Sequence, residues 1–181
     1  MSEATASGGV EFDPKELKHP TLAFLRDYWR AKRGERAMPA RADINPSEMR
    51  EHLGWICMLD VLGGGAEFRY RLIGTMITEY FFWNPTGKTV SEAFAIQPAK
   101  LRDAVLGVCR CAVQSRAPLR VYGHSGWAAK GIEECEGLYL PLSSDGTNVD
   151  VLLHGFVFDR DAVLNARRAA RLSGGRLTSA A

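Results

Sequence analysis

The stretch "RYRLIGTMITEYFFWNPTGKTV", residues 69–90, decides how the chain is read. It closes on Gly87-Lys88-Thr89, the last three letters of a phosphate-binding P-loop. Such a loop needs a glycine five positions ahead of Gly87, because successive backbone N–H groups must wrap the phosphates with no side chain between them. Phe82 occupies that position, and Trp83, Asn84, Pro85 and Thr86 fill the interval. Pro85 has no N–H to offer and Trp83 is bulky. The nearest upstream glycine, Gly74, is far out of register. The phosphate reading fails, and the stretch reads instead as strand, aromatic helix and turn.

The strand part alternates: Phe68, Tyr70 and Leu72 share one predicted face, and Glu67, Arg69 and Arg71 the other. Gly74 ends it with a sharp exit, and Thr75 is placed to cap the helix that follows. Tyr80, Phe81, Phe82 and Trp83 are expected to cover apolar surface. Asn84 to Gly87 reverses the chain, leaving Lys88 as a surface cation or a helix-end partner.

Working outward, "WICMLDVL" is apolar almost throughout, consistent with a strand covered on both faces, and Gly63-Gly64-Gly65 turns it into the alternating strand. Downstream, "QPAKLRDAVLGVCRCAVQSR" predicts a long helix with an apolar stripe of Leu101, Ala104, Val105, Val108, Ala112 and Cys111. Three strands follow, "LRVYGHSGW", "EECEGLYLPL" and "VDVLLHGFVF". Pro141 deletes a ladder donor in the middle one, which predicts a bulge or an unpaired edge. These pieces predict an α+β fold: a single five-stranded antiparallel sheet with helices packed on one face, plus an N-terminal helix.

The ends are polar. Residues 1–13 are small and Gly-rich and are expected to be disordered. Residues 14–53 form a helical extension, in which "HPTLAFLRDYWRAKRG" carries Leu22, Leu25, Tyr28 and Trp29 on one stripe, and "NPSEMREHLG" starts on Asn45 and Pro46. The sheet domain is assigned to 54–160 and an Arg-rich helix and tail to 161–181. With 46% hydrophobic and 24% charged residues and a net charge of +2, the chain has the composition of a soluble domain and does not announce nucleic acid. No run approaches the roughly 20 apolar residues of a membrane span, and "MSEATASGG" is no signal peptide, so a cytoplasmic address is expected. Cys57, Cys109, Cys111 and Cys135 contain no C-x-x-C pair and read as buried free thiols.

The order of elements, with "FRYRLIGT", an aromatic segment and then "NPTGKTV", resembles a PAS domain. The chain is most similar to a family of stand-alone bacterial PAS-like proteins about 200 residues long. The resemblance is carried by Tyr28-Trp29, Arg33-Gly34, Met38 to Ile44, Leu59-Asp60-Val61, Phe68 to Thr75, Thr86 to Lys88, Leu140 to Ser143 and Asp145-Gly146, and covers about residues 20 to 158. It implies a PAS fold and brings no catalytic residues.

The chemistry-bearing residues are sparse. His124 and His154 lie in separate strands of one meander, but PAS domains that hold haem usually take the ligand from the long helix, which here offers Cys109 and Cys111 instead. The Asn-Cys-Arg-Phe run of flavin-binding relatives is absent. Asp60 lacks a nucleophile–base couple, and Asp43 reads as a salt-bridge partner of Arg41. The chain is therefore expected to be no enzyme. It reads as a sensory or protein-interaction module, with a small apolar or amphipathic ligand between sheet and helices. Tyr70, Phe82, Trp83, Tyr122 and His124 are the expected lining, and no cofactor is named. Signals would leave by contact with a protein partner or a second copy. The alternatives are a ligand-free adaptor or dimerisation module, a haem sensor, and a regulator that meets nucleic acid through its Arg-rich ends.

Overall fold

The computed structural model describes residues 9–81, 83–123 and 135–158. Its strands are β1 (Gly9–Phe12), β2 (Ile56–Leu62), β3 (Glu67–Ile73), β4 (Leu119–Gly123), β5 (Cys135–Leu142) and β6 (Val151–Phe158). Its helices are α1 (Pro20–Arg33), α2 (Thr75–Phe81), α3 (Val90–Ala93) and α4 (Ala99–Ser115). The strands make one antiparallel sheet in the order β1-β4-β5-β6-β2-β3. The β6–β2 ladder, from Ile56↔Gly155 to Asp60↔Val151, joins the two meanders that the sequence supplies.

The five expected strands are present, and β1 adds a sixth, within a segment the sequence reading left without structure. "GVEF" is too short to show a period. What orders it is the β4 ladder, from Gly9↔Tyr122 to Phe12↔Leu119, and the 3.0 Å pair between Glu11 and Arg120.

Helix α1 packs on one face of the sheet. A Cβ at Gly155 would come within 2.6 Å of the Leu22 and Leu25 side chains, so the missing side chain lets the helix settle. Ile56, Met58, Leu138, Leu140, Leu153 and Val157 meet Leu22, Leu25 and Trp29 in this layer, all of them buried. The Trp29 indole N–H donates to the Pro141 carbonyl at 2.8 Å. β5 runs through Pro141 without a register shift, while its β4 pairing stops at Tyr139. The absent proline N–H therefore falls on an unpaired edge, and no bulge forms there.

One ion pair, Arg120 with Glu136, enters the α1 face. Glu136, 6% exposed, accepts from Arg120 Nε at 2.6 Å and from the backbone N–H groups of Lys18 and His19 at 3.2 and 3.1 Å. The sheet thereby grips the segment leading into α1, whose first turn is closed by Thr21 N–H donating to His19 Nδ1 at 3.2 Å.

Helices α3 and α4 cover the opposite face, where Gly65 lies against Val113 and Phe68, while α2 packs on the 3-10 segment Pro46–Trp55. The apolar stripe of α4 is rotated from its expected phase. Leu106, Cys109 and Ala112 are buried, whereas Ala104 and Cys111 are exposed. The nearly unbroken apolar run from Ala104 to Cys109 lets two neighbouring stripes satisfy a 3.6 period equally well. In β3 a bulge at Arg71 places Leu72 opposite Met58, so Leu72 leaves the face it was expected to share with Tyr70.

The opening stretch resolves as a chain reversal laid against β3. Asn84 Oδ1 accepts from Thr86 N–H at 3.0 Å, and Gly87 takes φ +87°. Gly87 N–H then donates to the Tyr70 carbonyl at 2.7 Å, and Tyr70 N–H to the Lys88 carbonyl at 2.9 Å. The amide a phosphate would need is already bonded within the fold. Gly74, not Thr75, caps α2: its carbonyl accepts from Ile77 and Thr78 N–H, both at 3.1 Å. A Cβ at Gly74 would collide with the carbonyl oxygens of Leu53 and Gly54, so close approach of two backbones is what requires glycine here.

Candidate functional site

The two faces of the sheet differ in chemistry. The α1 face is a hydrocarbon layer with Glu136 at one side. On the face beneath α4, one transverse row of cross-strand partners reads Leu119, Tyr139, His154, Cys57, Ile73. Tyr70 stands in the next row, opposite Leu59. Cys109 descends from α4 into the same layer and is fully buried.

Tyr139 and His154 stack with ring centroids 3.9 Å apart and planes 11° from parallel. Phe156 flanks the imidazole at 6.0 Å. The imidazole leans over Gly137, where a Cβ would come within 3.1 Å of His154 Nε2 and 3.0 Å of Val121 Cγ2. Glycine at 137 therefore makes room for the ring. Among the described residues, buried His154 Nε2 has no hydrogen-bond partner, although the residue as a whole is only partly buried.

Burial sets the protonation of the whole row. It pushes His154 down to about 3 and Cys109 up to about 12. It holds Cys57, Tyr70 and Tyr139 well above their ordinary values, with the neighbouring thiols adding to each rise. All five side chains are neutral at physiological pH, because desolvation in this layer disfavours every charged form. The arrangement offers hydrogen-bonding groups of no net charge. It offers no ionised nucleophile or base, and among the described residues no three His, Cys, Asp or Glu side chains converge as a metal site.

Of the lining expected from sequence, Tyr70 stands on this face, one row away from His154. Trp83 packs edge-on against Phe94, with centroids 5.9 Å apart, at the α3 end of the same side. Tyr122 stands on the opposite face, 39% exposed, with the Arg120 guanidinium 4.5 Å from its ring centroid. A molecule under α4 would not touch it. Phe82 and His124 lie outside the described residues, as does the Arg-rich segment 161–181. Tyr139, Cys57 and Gly137 were missed, because "GLYL" and "WICMLD" read as unbroken apolar strands. Only the register brings Tyr139, His154 and Cys57 into line.

The remaining candidates have structural partners. Asp60 bonds Arg71 at 2.6 Å at the sheet surface. Asp43 pairs with Arg36 at 2.8 Å and accepts from Ala40 N–H, not from Arg41, which donates to the Ile44 carbonyl instead. At the end of α1, Arg30 is matched by Asp13 and Lys32 by Glu48, while Arg33 lies over the Trp29 ring. That end of the domain is a network of paired charges. Cys111, expected to be buried, is exposed.

No described helix is long and apolar enough to cross a membrane. In comparison with known proteins, the family described as "PAS domain" matches residues 17–156. No curated protein matches. Among solved structures, the chain is similar to one titled "Structure of an RNA-binding Light-Oxygen-Voltage Receptor", at 10% identity and a TM-score of 0.45. The similarity covers 94% of this chain and 45% of that one, so the chain spans less than half the length of that receptor.

Proposed function

The chain belongs to the PAS domain family, and we propose that it is a sensory and protein-interaction module without catalysis of its own. Its signal is a small, uncharged, largely apolar molecule held between the sheet and α2–α4. The observation that carries this reading is the polar cluster of Cys57, Tyr70, Tyr139 and His154 inside an otherwise apolar layer, with His154 Nε2 unpartnered among the described residues. A buried polar group without a partner costs about 1–3 kcal/mol. The α1 face shows that this sheet can be covered with hydrocarbon alone along most of its length. Occupancy would favour one arrangement of α2–α4 over another, and a cytoplasmic partner or a second copy would read the difference.

Native mass spectrometry of the protein from its own host, followed by denaturing extraction, tests the proposal. A retained small molecule, with thermal stabilisation on adding it back, is the expected result. An empty protein with no thermal shift across a metabolite library would leave the ligand-free adaptor as the better account. The matched charges at the end of α1 weigh against the nucleic-acid reading on that side.

A further inference from the structure

Resting on the ligand reading above, we infer that the molecule this face takes carries a neutral hydroxyl, set on His154 Nε2, and that anions are rejected. Three observations lead there. His154 Nε2 is buried, has no partner among the described residues, and belongs to a ring that fills the space left by Gly137. Tyr139 stacks on the imidazole with ring centroids 3.9 Å apart and planes 11° from parallel, which holds the plane of the ring. The row Leu119, Tyr139, His154, Cys57, Ile73 contains no cation. The nearest guanidinium on α4, Arg110, donates to the carbonyls of Gly65 and Ala66.

Each excludes a ligand class. A carboxylate or phosphate entering here would lose its hydration and gain no opposite charge, the most costly form of burial. An ammonium would meet no carboxylate in the row. A pure hydrocarbon would leave Nε2 as unpartnered as before. A hydroxyl both donates and accepts, so it satisfies Nε2 in either imidazole tautomer, whereas a carbonyl or an ether serves only one. The apolar flanks, Val121, Phe156 and Leu119, suit a hydrocarbon body behind that hydroxyl. Sites that hydrogen-bond a hydroxyl discriminate strongly against analogues lacking it, because their own polar group is then stranded.

The test uses three probes on one skeleton with the full chain: 4-propylphenol, 4-propylanisole and 4-propylbenzoate. Dissociation constants come from calorimetry, and the His154 Nε2 resonance is followed by ¹⁵N NMR. The phenol is expected to bind about tenfold or more tightly than the anisole and to shift the Nε2 resonance, with no binding of the benzoate. In His154→Phe, which keeps a ring to stack on Tyr139, the phenol should fall to the affinity of the anisole. Equal binding of phenol and anisole, or a preference that survives His154→Phe, overturns the hydroxyl assignment and leaves the ligand site standing. Benzoate binding overturns the exclusion of anions. Binding of none of the three removes the ligand site and this inference with it. The NMR readout on the unaltered protein decides the matter even if His154→Phe does not fold.

Discussion

Replacing Glu136 with Gln removes one charge and leaves the side chain's shape. In the native protein that carboxylate takes Arg120 Nε at 2.6 Å and the Lys18 and His19 N–H groups at 3.2 and 3.1 Å. The Arg120 and Glu136 side chains are only 11% and 7% exposed, so the pair is little screened by solvent. Hydrogen bonds to a charged group contribute about 1.5–3 kcal/mol, and stranding one partner of a buried ion pair costs about 3–5 kcal/mol. Two things reduce the second figure: the amide oxygen of Gln still accepts one bond, and Glu11 remains 3.0 Å from Arg120. A loss of about 2–3 kcal/mol is expected. In a chain of this length that is a fall in Tm of roughly 4–12 °C. Urea unfolding gives the free energy, and hydrogen exchange locates it: the Lys18, His19 and Thr21 amides should lose protection before those of β5 and β6. Glu11→Gln is the control and should cost under about 1 kcal/mol, since that side chain is 42% exposed. Glu136→Gln within about 0.5 kcal/mol of the parent, with α1 exchange unchanged, would show that apolar packing alone seats the helix.

Four further outcomes are expected. Gly74→Ala should cost more than about 3 kcal/mol by denaturant titration or prevent folding, because the new Cβ meets two carbonyl oxygens of fixed backbone. His154 has an ordinary pKa of 6.5 unfolded and about 3 folded. The unfolded chain therefore binds more protons between those values, and stability falls as pH drops below 6.5, by up to about 1.4 kcal/mol per unit. Urea midpoints from pH 7 to 4 should show that slope, and His154→Phe should reduce it. A thiol reagent should modify exposed Cys111 in the native protein and reach Cys57 and Cys109 only on unfolding, read by mass spectrometry of peptides. Calorimetry with Mg-ATP should show no binding at Lys88, and Lys88→Ala should leave stability unchanged within about 0.5 kcal/mol.

What the sequence made legible follows from where each signal resides. Alternation in "EFRYR", the Gly63-Gly64-Gly65 turn and the Pro20 and Gly34 helix ends are local, and each appears as read. The P-loop reading fails in the sequence itself, because Phe82 stands where a glycine is needed and Pro85 has no N–H. Signals that depend on distant partners were hidden. β1 exists because β4 lies beside it, and the phase of α4 is fixed by the strands it crosses. The bulge at Arg71, which separates Leu72 from Tyr70, comes from pairing with β2. The site suffered most. Alternation puts Tyr70 on the face beneath α4, while Tyr122 was taken for its companion on residue type although its strand register turns it to the other face.

The glycine at 74 has a mechanical consequence. Gly54 receives the Met76 side chain of α2, and Gly74 receives the carbonyls of Leu53 and Gly54 more closely still, so α2 and the 3-10 segment Pro46–Trp55 mesh like teeth. The far side of that segment holds α1, through His52 Nδ1 at 3.1 Å from Thr21 Oγ1 and His52 stacked on Phe24 at 4.2 Å. Helix α2 is thus geared through that segment to α1, which lies on the sheet. Lifting α2 must either strip that gear or turn α1, and a spin-label distance between the two helices would tell which.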